Sequence, residues 1–187
     1  MSTSKRLLMP ARVLITALAL FTSVFVVGSP SSHAATAAEQ GATTSVAAKK
    51  LTKAQKRKAA KRAVSRKART GLAIARKQIG DPYRYGAAGP SAFDCSGLIQ
   101  YSFRRAGFKS IPRTSGAQAA FTKRLSRKAM RPGDLMFFHS GGRVYHAAVF
   151  LGRKHGKMLM VHAPSTGSRV SIASPWTNSW YPGTLRR

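Results

Sequence analysis

The chain changes texture at Pro132-Gly133, and that change constrains its fold more than any other feature. Upstream, apolar residues recur at helical spacing. Leu72, Ala75 and Ile79 share one face, and Gly80 followed by Asp81-Pro82 is a stop signal. A second helix is predicted over residues 95–106, with Asp94 as the N-cap acceptor, Leu98, Ile99, Ser102 and Phe103 partly lining one side, and Gly107 ending it. Downstream come four short apolar runs, at 134–138, 144–151, 158–163 and 169–173, separated by Gly-containing turns at 140–142 and 153–156. Helices first and a meander of strands afterwards predict an α+β domain, its N-terminal helices packed on an antiparallel sheet. A chain of 187 residues, 43% of them hydrophobic, can bury one such core.

That domain is expected to occupy residues 70–187. Ahead of it, Lys5, Arg6 and Arg12 precede an apolar run at 13–27, followed by Gly28-Ser29-Pro30 and the small residues Ser32 and Ala34. This is the layout of a secretory signal peptide over residues 1–34, and the run is too short for a comfortable membrane span, so export without a permanent membrane anchor is expected. Residues 35–48 are Ala, Thr, Ser, Gln and Gly with almost nothing large and apolar, which predicts a disordered linker. Residues 49–69 carry eleven cations and no acid. Their residue types favour helix, their like charges three and four apart oppose it, and their alanine stripe is thin, which together predict a fraying, solvated cationic arm.

The charge balance is extreme, with 33 Lys and Arg against four acids, Glu39, Asp81, Asp94 and Asp134, for a formal net charge of +29. Such a chain must seek anionic partners. The candidates are nucleic acid, acidic lipid and anionic envelope polymers; export makes nucleic acid a poor physiological partner, and the arm is expected to tether the chain to anionic wall polymers, a spacer that only keeps the chain soluble being the alternative.

Cys95 is the sole cysteine, so no intramolecular disulfide can form. It falls in the first turn of the predicted second helix, where a helix N-terminus and an adjacent imidazole would lower a thiol pKa. The strand region offers His139, His146, His155 and His162 as bases. His146 lies among apolar neighbours and needs a partner. A hairpin centred on residue 154 sets His146 directly opposite His162 on one face, so that one ring orients the other, a triad logic without any Asp. His155 falls in the turn and is expected to be solvated, and His139 borders a Gly-Gly turn. A buried inert thiol and satisfied core histidines are the purely structural alternative. With no HExxH or CxxC pattern and few acidic or sulfur ligands nearby, neither metal nor cofactor is expected.

Six blocks, in order and spacing, carry a family resemblance: Gln78 with Gly80, Pro82, Tyr83 and Gly86; Phe93-Asp94-Cys95-Ser96-Gly97; Pro112-Arg113-Thr114-Ser115; Pro132-Gly133-Asp134; His146-Ala147-Ala148-Val149; and Val161-His162-Ala163-Pro164. From about Leu72 onward the chain resembles the NlpC/P60 family of papain-like cell-wall cysteine endopeptidases. The resemblance implies Cys95 as nucleophile, His146 as the base that takes and returns the proton, and His162 as its orienter. It implies that the Tyr83 hydroxyl joins the backbone N–H of Cys95 at the oxyanion. It places Asp94 and Ser96 at positions that bind the peptide's free amine or backbone, and Arg113 and Ser115 on a loop lining the cleft. The implied substrate is the peptidoglycan stem peptide, cut between D-isoglutamate and meso-diaminopimelate. A secreted, wall-associated monomer is expected. An amidase or acyltransferase on the same scaffold, and a non-catalytic cationic wall-binding protein, are the alternative readings.

Overall fold

Thr52 closes a capping box with Gln55 and opens helix α1, Lys53–Lys77, in a computed structural model that describes residues 51–186. The expected signal peptide and linker lie outside the described residues. The expected arm is helical where it is described, but it does not fray: residues 53–69 are the first two-thirds of a continuous 25-residue helix that runs through position 70 into the domain, with Ala68 already buried. Like-charge pairs on an exposed helix face cost only a few tenths of a kcal/mol each, about 0.2–0.5. The capping box and burial of Ala68, Gly71, Leu72 and Ala75 outweigh them. Gly71 lets the packing happen, since a Cβ there would sit 2.9 Å from the Phe103 ring on the next helix.

That next helix, α2, spans Cys95–Arg105, begins at the Asp94 cap and is followed by Gly107 in the left-handed region at φ 93. A third helix, α3, Ser115–Phe121, was not anticipated. It has seven residues, mostly small, too few to show an apolar period, and is started by the Thr114 hydroxyl accepting from the N–H of Ala117.

The six strands are β1, Lys123–Arg124; β2, Leu135–Ser140; β3, Arg143–Lys154; β4, Lys157–His162; β5, Ser171–Ala173; and β6, Trp180–Thr184. They form one antiparallel sheet in the order β1-β6-β2-β3-β4-β5. The four expected runs became β2 to β5. The sequence gives no warning of β6, because Pro182-Gly183 spells a turn. Pro182 is tolerated because its carbonyl accepts from the N–H of Leu125 on the β1 side, so the N–H it lacks is missing from the flank that carries only a two-residue strand.

Both faces of the sheet are covered. Leu135 and Phe137 pack under the helices with Leu72, Phe93, Leu98, Ile99 and Phe103, while Met136 and Phe138 pack on the far face with Met130, Phe150, Met160 and Trp180. With water on neither side, β2 reads as an unbroken apolar run rather than an alternation. The observed architecture is therefore α+β, helices on an open antiparallel sheet.

One ion pair closes the C-terminal end. The fully buried Asp134 carboxylate accepts from the Arg186 guanidinium and, at 2.7 Å, from the backbone N–H of Arg131. Removing one partner of a buried pair strands the other charge. Asp134→Ala is expected to lower the unfolding free energy by about 3–5 kcal/mol in urea titrations, and adding Arg186→Leu to recover part of the loss.

Candidate active site

The position of Cys95 is set by its predecessor. The Asp94 carboxylate is almost buried and accepts five hydrogen bonds: Gly97 N–H at 2.6 Å, Ser96 hydroxyl at 3.1 Å, Gly86 N–H at 3.0 Å, and both arms of the Arg113 guanidinium at 3.0 and 2.5 Å. Arg113 also donates to the Ser96 hydroxyl at 3.0 Å and reaches the Ala87 carbonyl at 3.4 Å. Burial alone would raise the Asp94 pKa, but the Arg113 fork and the Gly97 N–H outweigh it and hold the carboxyl below its usual range. The start of α2 is also pressed against the preceding loop, because a Cβ on Gly97 would lie 2.0 Å from the Ala87 carbonyl oxygen. Behind it, the buried Gln118 side chain donates to the carbonyls of Ser96 at 2.8 Å and Pro112 at 2.9 Å. Sequence reasoning missed Gln118, a lone amide in an Ala-rich stretch with no pattern to mark it.

The histidines meet by a route different from the expected one. The hairpin turn is His155-Gly156, both with positive φ (48 and 74), and Lys154 opposes Lys157. Continued without interruption, that register would place His162 opposite Val149, on the other face from His146. A bulge at Leu151 intervenes: Phe150 opposes Met160, Val149 opposes Val161, and His162 therefore falls beside Ala148, two residues from His146 and on the same face. The expected direct opposition is corrected to a diagonal pairing that preserves the face. The rings meet edge to face with Nε2 of His146 3.1 Å from Nδ1 of His162, which leaves Nδ1 of His146 free. His155 is exposed in its turn, and His139 packs near Tyr181.

Two aromatics hold the imidazole pair. Phe138 lies 5.5 Å from His146, and Trp176 stacks on Phe138 at 4.4 Å and 6° while its ring stands 5.2 Å from His146 and 5.7 Å from His162. Trp176 stays 53% exposed. It lies between β5 and β6, and an aromatic next to Pro175 in a polar loop was the one signal that could have marked it.

Cys95, Tyr83 and Tyr145 sit where two hollows meet. One, of about 330 Å³, continues to His146, His162 and Trp176, and the other, of about 410 Å³, to Asp94, Ser96, Arg113 and Ser115. All eight residues singled out from the sequence thus border one cleft. Burial pushes the Cys95 thiol up, opposed by the backbone N–H of Ala147 and by Ser96, and the Asp94 charge adds to the rise. The expectation of a lowered thiol pKa is corrected: the helix N-terminus is present, but desolvation and a neighbouring carboxylate exceed it. Burial also pushes His146 down to about 3, helped by His162, and lowers His162 itself. Tyr83 is raised by burial and then by the charges at Cys95 and Asp94. Burial thus favours the uncharged form of the thiol and of both imidazoles in the hollow they share, an arrangement suited to moving a proton as a bond forms. Among the described residues no cluster of three or more His, Cys, Asp or Glu side chains is placed to hold a metal.

Comparison with known proteins gives this geometry a context. The NlpC/P60 family matches residues 80–187, more than half of the chain. The probable endopeptidase p60 of Listeria monocytogenes is 46% identical over 88 residues, which are 47% of this chain and 18% of that protein. The bifunctional muramidase/DL-endopeptidase CwlT of Bacillus subtilis is 41% identical over 93 residues, 48% of this chain and 27% of that protein. The match thus spans less than a third of either relative's length. The solved NlpC/p60 domain of the peptidoglycan hydrolase SagA superposes with a TM-score of 0.56 and 30% identity, covering 63% of this chain and 98% of that domain. Since the family match runs over more than half of the chain, the chain belongs to the NlpC/P60 family.

Proposed function

We propose that this chain is an exported peptidoglycan endopeptidase that cuts stem peptides by cysteine nucleophilic catalysis. The observation that carries the reading is the 3.1 Å contact between Nε2 of His146 and Nδ1 of His162 in the cleft that holds Cys95. A proton on Nε2 of His146, donated to His162, leaves the Nδ1 lone pair to take the thiol proton. Cys95 Sγ then attacks the amide carbonyl. The backbone N–H of Cys95, at the start of α2 with no intrahelical acceptor, and the Tyr83 hydroxyl receive the developing oxyanion. The imidazolium returns its proton to the leaving amine, whose bond to the acyl carbon breaks. Water, deprotonated by the same ring, hydrolyses the thioester and regenerates the thiol.

In this reading Asp94 and Ser96 take the free amine or backbone of the acyl part of the stem, and Arg113 and Ser115 line the cleft around it. The scissile bond is D-isoglutamyl–meso-diaminopimelate, a choice supported by the family resemblance and by the DL-endopeptidase activity in the name of the Bacillus relative. Export rests on the layout of residues 1–34. No helix among the described residues is long and apolar enough to cross a membrane.

Digestion of purified sacculi, read by mass spectrometry, tests the chemistry. Fragments with a new diaminopimelate amine are expected from the wild type, and Cys95→Ala is expected to lower their release by at least about 10³-fold. His162→Leu, which leaves the His146 tautomer unsupported, is expected to cost about 10²- to 10⁴-fold, and His162→Asn, which keeps an acceptor, to recover part of it. Wild-type rates from Cys95→Ala would overturn the reading.

Because His146 is pushed from 6.5 to about 3, it stays neutral as the solution is acidified. The acid limb of kcat/KM on a soluble stem peptide is therefore expected below about pH 6. Trp176→Ala opens the pair to water, which relieves desolvation and raises the His146 pKa. The acid limb should then move upward, with kcat/KM lower by about tenfold.

A further inference from the structure

Helix α1 bears eleven cations and no acid, and no ion pair among the described residues involves it. Its buried stripe descends in steps of three and four through Ala68, Leu72 and Ala75. The same stripe continues toward the N-terminus through Ser65, Lys61, Arg57 and Ala54, where the one apolar side chain is an exposed alanine. These residues, with Arg69 and with Arg131 from the loop before β2, line a groove of about 620 Å³, larger than either hollow of the cleft. At the groove's inner end Arg69 and Arg131 both repel the Arg186 guanidinium, whose single counter-charge, Asp134, is already engaged. The groove is thus a row of guanidinium and ammonium groups from two elements, without neutralising partners among the described residues.

We infer that this groove is a docking site for a linear phosphodiester polymer of the cell wall, laid along α1 against Arg57, Lys61 and Arg131. Closely spaced Arg side chains suit phosphate, each guanidinium offering paired donors to two oxygens. A membrane surface is disfavoured because the exposed apolar residues of α1 are alanines, with no aromatic or long aliphatic face to enter a bilayer. The lack of aromatics likewise gives nucleobases nothing to stack on. The wall as the source of the polymer rests on the proposed function; the phosphodiester chemistry does not.

The test titrates the chain with poly(glycerol phosphate) over a range of NaCl concentrations. Three proteins are compared: wild type; Arg57→Gln/Lys61→Gln/Arg131→Gln; and a control with equal charge removed from exposed sites elsewhere, Lys109→Gln/Lys154→Gln/Lys157→Gln. The groove variant is expected to bind at least about tenfold more weakly, and its plot of log K against log salt to flatten by about 2, at about 0.7 per lost phosphate contact. The control is expected to retain most of both. Equal losses in the two variants would reduce the effect to net charge and overturn the inference. So would failure of the wild type to bind the polymer, whether or not it binds phosphatidylglycerol vesicles. Sacculi stripped of phosphodiester polymer are expected to be cut equally by wild type and groove variant. No cutting by either would sink the endopeptidase reading while leaving the titration to judge the groove.

Discussion

The Asp94 carboxylate takes hydrogen bonds from four different residues, and the start of α2, and with it the place of Cys95, is fixed by that knot. It starts α2, draws the Gly86 loop toward the sulfur, and clamps Arg113 from the far side of the cleft. A charge this well satisfied can be buried without a large penalty, because donors replace the water it loses. The same charge acts against Cys95 as a thiolate. The site thus gains rigidity from a group that opposes the ionised nucleophile, and the histidine pair must supply what the carboxylate withholds.

That pair depends on an irregularity. Two imidazoles sixteen residues apart share a face only because one extra residue, Leu151, interrupts the β3–β4 ladder and reverses the parity set at the turn. A second interruption follows on the other side of His146, where Phe138 opposes His146 but His139 opposes Val144, so that Tyr145 is left over and projects into the cleft. Bulges at a functional site re-aim side chains without disturbing the strands that carry them. Here the regular stretch between them, residues 146–150, is fully buried, and the irregular ends serve the cleft.

Much of this was legible in the residues. Asp94 followed by an apolar helical face named α2, its cap and the place of Cys95, and the strand runs named β2 to β5. The face shared by His146 and His162 was foreseen, but through a symmetric hairpin that does not exist. A bulge leaves no mark in an apolar run, and two compensating half-errors preserved the parity. Elements too short to show a period, α3 and β1, were invisible, and β6 was masked by Pro182-Gly183. The continuity of α1 was misjudged because repulsion among its cations was weighed without the burial waiting at Ala68 and Leu72. Trp176 and Gln118 act through packing and hydrogen bonding across the fold, which local sequence does not encode.

The sheet ends in very short strands, β1 with two residues on one side and β5 with three on the other. Little unpaired backbone is offered along either border, and Pro182 lacks a donor near one of them. A foreign strand would find almost nothing to template on. Copies of the domain crowded together on a polyanionic surface, their mutual repulsion cancelled by that surface, would find little to pair with along the described sheet edges.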